Sequence, residues 1–281
     1  MISPSDMYGM SFLKRRAMLK LLAKGTRLDG REFHEYRPVK INIGVVEKAS
    51  GSAEVSIGNT VVIAGVKWDI GEPFPDTPDE GVLVTMAEFL PTSASFIEPG
   101  PPDEHAIELA RVTDRGIRHA PLIDLKKLCL VPGKKVLTVF VDIYSENYDG
   151  NLFDAASRAA VASILTCKIP SFKVGEDENI EVDEEQLKPM PIVKVPISVT
   201  LVNIGDYILV DPTFEEEQVS DVRLTFAFTE DDKICAIQKG GPGGISEDLL
   251  MEAVDIAFKV SKEQRKLLME AVKNAQKEND T

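Results

Sequence analysis

Apolar residues recur every three or four positions through residues 104–120, EHAIELARVTDRGIRHA, and this spacing predicts an amphipathic helix. The residues that share one face of the predicted helix are Leu109, Val112, Gly116 and Ile117. We expect this apolar face to be buried. The opposite face carries arginine.

Alternating apolar and polar residues with glycine turn signals predict antiparallel strands in two parts of the chain. The first part is residues 39–70, and the second part is residues 195–213 and 220–241. Residues 134–147 predict one more strand, and the segments FDAASRAAVASILT and SEDLLMEAVDIAFKVSKEQRKLLMEAVKNAQ predict helices. Strands followed by helices therefore occur twice. This order predicts an α+β duplication in which helices cover the sheets.

Two further segments suggest how the chain is divided. The basic, amphipathic FLKRRAMLKLLAKG predicts a docking helix within residues 1–24. Residues 176–190 are acidic, contain proline and lack aromatic residues, which predicts a linker. The halves would then be residues 25–175 and 191–281.

Three arginines, Arg111, Arg115 and Arg118, stand at i, i+4 and i+7 of the predicted helix, within roughly 60° of one another. Guanidinium groups bind phosphates bidentately, so the three could hold a polynucleotide backbone. The same face fits a solvated, salt-bridged surface, because Glu108 with Arg111 and Asp114 with Arg118 are at pair spacing. The spacing leaves both interpretations open.

Composition restricts the class of partner. Forty-six acidic and 32 basic residues give a net charge of −14, so RNA contact must be local or shared with a more basic partner. No run of 18 apolar residues exists, so we expect no membrane span. Three isolated cysteines fit reduced thiols in an intracellular protein, and we expect a cytoplasmic one. The three histidines lack ligand spacing, so we expect no structural zinc, other metal or cofactor.

Four segments occur in the order RLDGREFHEYRPVKI, GSAEVSIGNTVVIAGV, ELARVTDRGIR and VFVDIYSENYDGN. Their order and spacing resemble the RNase PH family of phosphorolytic exoribonucleases, from about Arg27 to the closing helix. The resemblance implies the family's duplicated β/α fold, like that of domain 2 of ribosomal protein S5, with helices covering mixed sheets. It also implies a six-membered ring with a central channel for RNA.

The N-terminal extension and the acidic segment look most like the RNase PH-like subunits of the archaeal exosome, in whose ring an active and an inactive chain alternate. The implied partners are a catalytic RNase PH-like paralogue, cap subunits with RNA-binding domains, and single-stranded RNA. The family helix that faces RNA carries matching positions for Arg111 and Arg115, and for Arg118.

The residues after Asp149-Gly150 separate the active members of the family from the inactive ones. In active members a small residue, a hydroxyl residue and an arginine follow this motif and together bind phosphate. Here Asn151 is followed by Leu152 and Phe153, and neither of these two side chains can donate a hydrogen bond to an anion. We therefore predict that Leu152 and Phe153 pack in the core.

Active members also carry two aspartates about six residues apart, placed for metal and leaving-group chemistry. Asp211 matches the first, and Glu217 stands at the second with a side chain one methylene longer. A misplacement of about 1 Å at a reacting centre costs on the order of a hundredfold in rate. The surrounding FEEEQ segment also fits a solvated acidic loop, with Glu215 and Glu216 facing solvent.

We therefore expect a non-catalytic subunit of a phosphorolytic, 3′-to-5′ RNA-degrading exosome ring, which shapes the partner's active site and helps to bind RNA. Two alternatives remain. One is a self-sufficient phosphate-dependent exoribonuclease that uses Asp211 and Glu217, and the other is a scaffold whose arginines only make salt bridges. The sequence leaves open the RNA preference, the cap subunits, and whether Lys134 or Lys135 contacts RNA.

Overall fold

The computed structural model describes residues 4–175 and 179–279. The α-helices are α1 (Pro4–Leu22), α2 (Glu104–His119), α3 (Leu152–Leu165), α4 (Phe214–Val219) and α5 (Glu247–Asn279). The strands are β1 (Val39–Ile43), β2 (Gly51–Ile57), β3 (Thr60–Gly71), β4 (Val82–Phe89), β5 (Cys129–Val131), β6 (Lys135–Asn147), β7 (Lys168–Val174), β8 (Ile180–Pro189), β9 (Ile197–Ile204), β10 (Tyr207–Val210), β11 (Val222–Phe228) and β12 (Ile234–Gly240).

The first sheet is mixed. Its order is β1-β2-β3-β6-β4, and β5 pairs with β6 beside this path. Neighbouring strands are antiparallel except for β4 and β6, which run parallel with Val82 opposite Thr138. Buried and half-buried residues alternate from Thr60 to Val66 of β3, as expected for a strand with one face on the core.

The second sheet is antiparallel, in the order β10-β9-β11-β12. Every residue of β9 is buried because both faces of this strand are covered. Val199 and Leu201 face the main core, whereas Val202 and Ile204 belong to a smaller cluster beneath α1. The segment ISVTLVNI carries Ser198, Thr200 and Asn203 between its apolar residues, so the sequence pattern did not indicate burial on both faces.

Helix α3 packs on β2 and β3 of the first sheet and on β9 of the second. Its residues from Leu152 to Ile164 are all buried. Small residues allow this close packing: a Cβ added at Gly51 of β2 would overlap the carbonyl oxygen of Ser163. The tightly packed helix predicted for FDAASRAAVASILT is confirmed, and residues of both halves share one core cluster.

The helix predicted within residues 1–24 is α1, and its described side chains dock on the chain's own second sheet. Met18 and Leu22 are buried in the cluster beneath it. Arg15 Nη1 donates to the carbonyl of Val219 at 2.6 Å, and Nη2 donates to Asp221 Oδ2 at 2.8 Å. None of the described helices is long and apolar enough to span a bilayer.

The acidic segment departs from the linker prediction. Ile180–Pro189 forms β8, which pairs antiparallel with β7, while residues 176–178 lie outside the described residues. The acidic composition obscured a strand period, in which Ile180 and Val182 alternate with acidic residues. The described part of this segment is thus a strand paired with β7 of the first half, and the division of the chain at this point stays a prediction.

Candidate functional site

Asp211, the first of the two predicted carboxylates, is fully buried and surrounded by donors. Its Oδ2 accepts from Arg31 Nη1 and from the backbone N–H and Nε of Arg37, each at 2.9 Å. Its Oδ1 accepts from Arg37 Nη2 at 2.8 Å and from Asn151 Nδ2 at 2.7 Å. Burial alone would raise the pKa of Asp211, but the hydrogen bonds and charge of Arg37 outweigh it and lower that pKa. A carboxylate accepts about four hydrogen bonds, so Asp211 has no lone pair left for a metal.

Glu217, at the second carboxylate position, is held by the segment before α3. Its Oε1 accepts from the backbone N–H of Asn151 at 2.9 Å, and its Oε2 accepts from the Tyr148 hydroxyl at 2.6 Å. Burial raises the pKa of Glu217, and these hydrogen bonds offset that effect only in part. The carboxylate therefore occupies the first free N–H at the N-terminus of α3, where an anion would otherwise be attracted.

The Asp149-Gly150 segment is in direct contact with the backbone that precedes α4. Gly150 has φ 88°, and an added Cβ would overlap the carbonyl oxygen of Pro212. Leu152 and Phe153 are buried, as predicted. The Arg223 guanidinium lies over the Phe153 ring, 4.1 Å from its centroid. Where active members hold phosphate with hydroxyl and arginine side chains, this chain has apolar packing.

The solvated acidic loop expected for FEEEQ is wrong. The segment is helix α4, and Glu216 is fully buried. Arg27 Nε donates to Glu216 Oε1 at 2.9 Å, and Arg27 Nη2 donates to Oε2 at 2.6 Å. Thr213 and Glu216 form a capping box at the start of α4. The Thr-x-x-Glu spacing was the sequence signal for this helix, and the run of acidic residues concealed it.

Three arginines that surround Asp211 and Glu216 were missed from the sequence, and two of them, Arg27 and Arg37, are buried. Arg27, Arg31 and Arg37 come from the loop between α1 and β1 and bind the segment from Val210 to Glu216. Their motif, RLDGREFHEYRP, was identified only as part of the family resemblance. Several charged residues in a loop ordinarily indicate that the loop is exposed to solvent. The position of these arginines is explained only by their hydrogen-bond acceptors, such as Asp211, which follows Arg31 by 180 residues.

Helix α2 has the predicted amphipathic arrangement. Leu109, Gly116 and Ile117 are buried and Val112 is half-buried. Asp103 caps the helix by accepting from the N–H of Ala106 at 2.8 Å. The three arginines of the opposite face are exposed. The structure therefore brings Arg111, Arg115 and Arg118 together on one side.

The three arginines differ in how many donors they retain. Arg118 is bound by Asp114 through Nη2 at 2.8 Å and Nε at 3.1 Å, and Nη2 also donates to the Leu83 carbonyl at 3.0 Å. Arg115 donates one hydrogen bond, from Nη1 to Gln238 Oε1 at 2.9 Å. Arg111 makes no hydrogen bond or ion pair with any residue that the structure describes.

One predicted ion pair forms and the other does not. The Asp114–Arg118 pair is present at 2.8 Å. Glu108, predicted to pair with Arg111, instead accepts from Arg223 Nη2 at 2.6 Å. Arg223 therefore lies between α2 and the Phe153 ring, and it links Glu108 of α2 to the start of α3. Across the described residues, no group of three or more histidine, cysteine, aspartate or glutamate side chains is arranged to hold a metal ion.

Comparison with known proteins identifies the family. The profile of the 3′ exoribonuclease family, domain 1, matches residues 35–170, and that of domain 2 matches residues 194–260. The chain belongs to the RNase PH family. The exosome complex component Rrp42 of Thermococcus gammatolerans is 48% identical over 271 residues, which cover 96% of this chain and 99% of that relative. The exosome complex component Rrp42 of Pyrococcus horikoshii is 45% identical over 272 residues, with 96% and 99% covered.

Solved structures of the RNase PH family agree with this assignment. A chain of the Archaeoglobus fulgidus exosome with RNA bound to the active site superposes with a TM-score of 0.84 at 42% identity, covering 92% of this chain and 98% of that chain. A chain of an archaeal exosome core gives a TM-score of 0.81 at 40% identity, with 92% and 98% covered. Rice Rrp46, at 16% identity and a TM-score of 0.67 over 88% of this chain and 100% of that one, shares the fold. The predicted family and α+β fold class are confirmed.

Proposed function

We propose that this chain is a non-catalytic subunit of a phosphorolytic, 3′-to-5′ RNA-degrading exosome ring. In this ring it alternates with a catalytic RNase PH-like paralogue, and cap subunits with RNA-binding domains complete the assembly in the cytoplasm. The similarity to exosome complex component Rrp42 and to chains of archaeal exosome cores supports the assembly.

The observation that carries the non-catalytic role is the state of the two carboxylates. All lone pairs of Asp211 accept internal hydrogen bonds, and Glu217 binds the α3 N-terminus that would face an attacking phosphate. Leu152 and Phe153 supply no donor in place of the phosphate cradle. A self-sufficient enzyme would need carboxylates with free lone pairs and side chains that donate hydrogen bonds to phosphate, so this alternative is the weaker one.

The contribution to RNA binding rests on α2. Arg111 and Arg115 are exposed and retain donors for phosphate oxygens. Arg118 is bound to Asp114, so we assign it a smaller share, and for this residue the salt-bridge interpretation has direct support. In the ring these arginines would hold the backbone of the strand near the partner's active site. The partner's residues would then transfer the 3′ nucleotide to phosphate and release a nucleoside diphosphate.

The proposal is tested by assaying the purified chain, alone and after mixing with the catalytic paralogue, with single-stranded RNA, phosphate and magnesium. We expect the chain alone to be a monomer or a poorly defined oligomer in light scattering and to release no nucleoside diphosphate. The mixture should form a discrete ring and release nucleoside diphosphate. A stable homohexamer that turns over RNA on its own would contradict the proposal and favour the self-sufficient enzyme.

A further inference from the structure

Gln238 lies on β12, an edge strand of the second sheet, beside the arginine face of α2. Its two amide atoms have different partners. Oε1 accepts from Arg115 Nη1 at 2.9 Å, and Nε2 donates to Glu108 Oε1 at 3.2 Å. Because guanidinium only donates and carboxylate only accepts, these two partners fix the orientation of the amide.

Glu108 is fixed in turn by a residue outside α2. Arg223 Nη2 donates to the same Oε1 of Glu108 at 2.6 Å. The contacts therefore form the chain Arg223, Glu108, Gln238, Arg115, which begins over the Phe153 ring and ends at the arginine face. Gln238 stands between the carboxylate of Glu108 and the guanidinium of Arg115. Glu108 forms its ion pair with Arg223, at 2.6 Å, and not with Arg115.

Arg115 keeps most of its binding capacity in this arrangement. A guanidinium has five N–H donors, and only one of them is directed at Gln238. Its stem lines a small pocket between α2 and the second sheet, together with Val112, Ile237 and Gln238. A long side chain that is already ordered loses less conformational freedom when it binds a phosphate.

We propose that Gln238 is a positioning residue for RNA binding: it holds the Arg115 guanidinium in place and separates it from Glu108, so that the remaining donors face the phosphate backbone. This inference rests on the proposed function, because it assumes that Arg115 contacts RNA. It assigns Gln238 no contact with RNA of its own.

The test uses the ring reconstituted with the catalytic paralogue and a fluorescein-labelled single-stranded oligoadenylate. Gln238→Met is the main variant, because methionine is similarly long and unbranched but makes neither amide hydrogen bond. We expect this variant to weaken RNA binding roughly threefold, in the range of a single exposed charged contact. Gln186→Ala, on the exposed strand β8, is the control and should bind RNA like the wild type.

A double-mutant cycle with Arg115→Ala separates positioning from other effects. In the Arg115→Ala background, Gln238→Met should cause no further loss of affinity, because the positioned group is gone. Equal losses with and without Arg115 would overturn the inference, as would wild-type binding by Gln238→Met while Arg115→Ala is impaired. If Arg115→Ala itself binds RNA normally, the proposed role of Arg115 fails, and the inference fails with it. The parent ring provides a circular dichroism and light-scattering reference for every variant.

Discussion

At the scale of single residues, Asp211 and Glu217 are held by hydrogen bonds inside the fold. Asp211 adopts a left-handed backbone conformation with φ 49°, which is strained for an aspartate. Its contacts with Arg31, Arg37 and Asn151 hold it there. The family resemblance located Asp211 and Glu217, but their hydrogen bonds come from distant arginines and a tyrosine that no local sequence pattern could pair with them.

The buried pair of Arg27 and Glu216 makes a stability prediction. Both side chains are fully buried, and Arg27 Nη1 also donates to the Val210 carbonyl at 2.8 Å. Arg27→Ala leaves a buried carboxylate without its partner, which typically costs about 3–5 kcal/mol. Denaturant unfolding should show this loss, and Arg16→Ala, an exposed arginine on α1, should change stability by less than about 0.5 kcal/mol. Similar stability of the two variants would show that the pair contributes little.

The two carboxylates predict opposite pH dependences. Burial raises the pKa of Glu217, so the folded state holds that proton more tightly than the unfolded state does. The stability contributed by Glu217 is therefore present below its unfolded pKa of about 4.3 and is lost as pH rises through the folded pKa. Glu217→Gln cannot ionise, so its free energy of unfolding should increase relative to wild type from acidic to neutral pH.

Asp211 should show the opposite pH dependence of stability and serves as the control for Glu217. Burial opposes ionisation of Asp211, but Arg37 lowers its pKa, so its contribution is present above the unfolded pKa of about 3.9 and lost as pH falls through the folded pKa. Asp211→Asn should lose stability relative to wild type as pH rises from the folded pKa of Asp211 to its unfolded pKa of about 3.9. Unfolding curves collected from about pH 2 to 7.5 test both signs, because the Asp211 window lies below a pH of about 3.9. Parallel profiles for the two variants would refute the assigned directions.

At the scale of elements, the sequence predicted well where one periodicity dominates. Helix α2 follows its apolar spacing and has an aspartate cap, and α3 follows its small residues. Helix α4 and strand β8 were missed for one shared reason. Both are acidic segments, and charge was taken as a sign of a solvated loop, although Thr213 begins a capping box and Ile180 and Val182 alternate with acidic residues at the start of β8.

The docking of α1 can be tested with two leucines of the same helix. Leu22 is 1% exposed beneath α1, whereas Leu13 is 69% exposed. Leu22→Ala should destabilise the chain by about 2–5 kcal/mol, because it creates a cavity in the cluster between α1 and the second sheet. Leu13→Ala should stay within about 0.5 kcal/mol of wild type. Equal effects in denaturant unfolding would mean that α1 does not dock as described.

The arginine face of α2 predicts a salt effect. Each phosphate contact on a single strand contributes about 0.7 to the slope of log affinity against log salt, so two contacts contribute about 1.4. In the ring, Arg111→Ala with Arg115→Ala should weaken RNA binding, uniformly across sequences, and reduce the slope by about this amount. Arg16→Ala removes one positive charge from α1 and leaves α2 unaltered, so it is the control for each single replacement. An intact ring with unchanged affinity and slope would favour the scaffold alternative.

At the scale of the whole molecule, the family and the duplicated order of elements followed from the sequence, and both were confirmed. The contact between the two halves could not be predicted from the sequence. Gly150 touches Pro212 and Glu217 reaches Asn151 across 66 residues, and the sequence pattern of either half contains no sign of the other. This contact joins the segment before α3 to the segment before α4, so the surroundings of Asp211 and Glu217 depend on both halves.

The most direct test of this account is phosphorolysis by a ring in which only this chain could act. The catalytic paralogue is first inactivated by replacing its own phosphate-binding arginine, and the ring is reconstituted with the unaltered chain described here. Nucleoside diphosphate release is then measured with single-stranded RNA, phosphate and magnesium, with the fully wild-type ring as the positive control. The account predicts no release from the ring with the inactivated partner. Phosphate-dependent release that Asp211→Asn in this chain abolishes would contradict it.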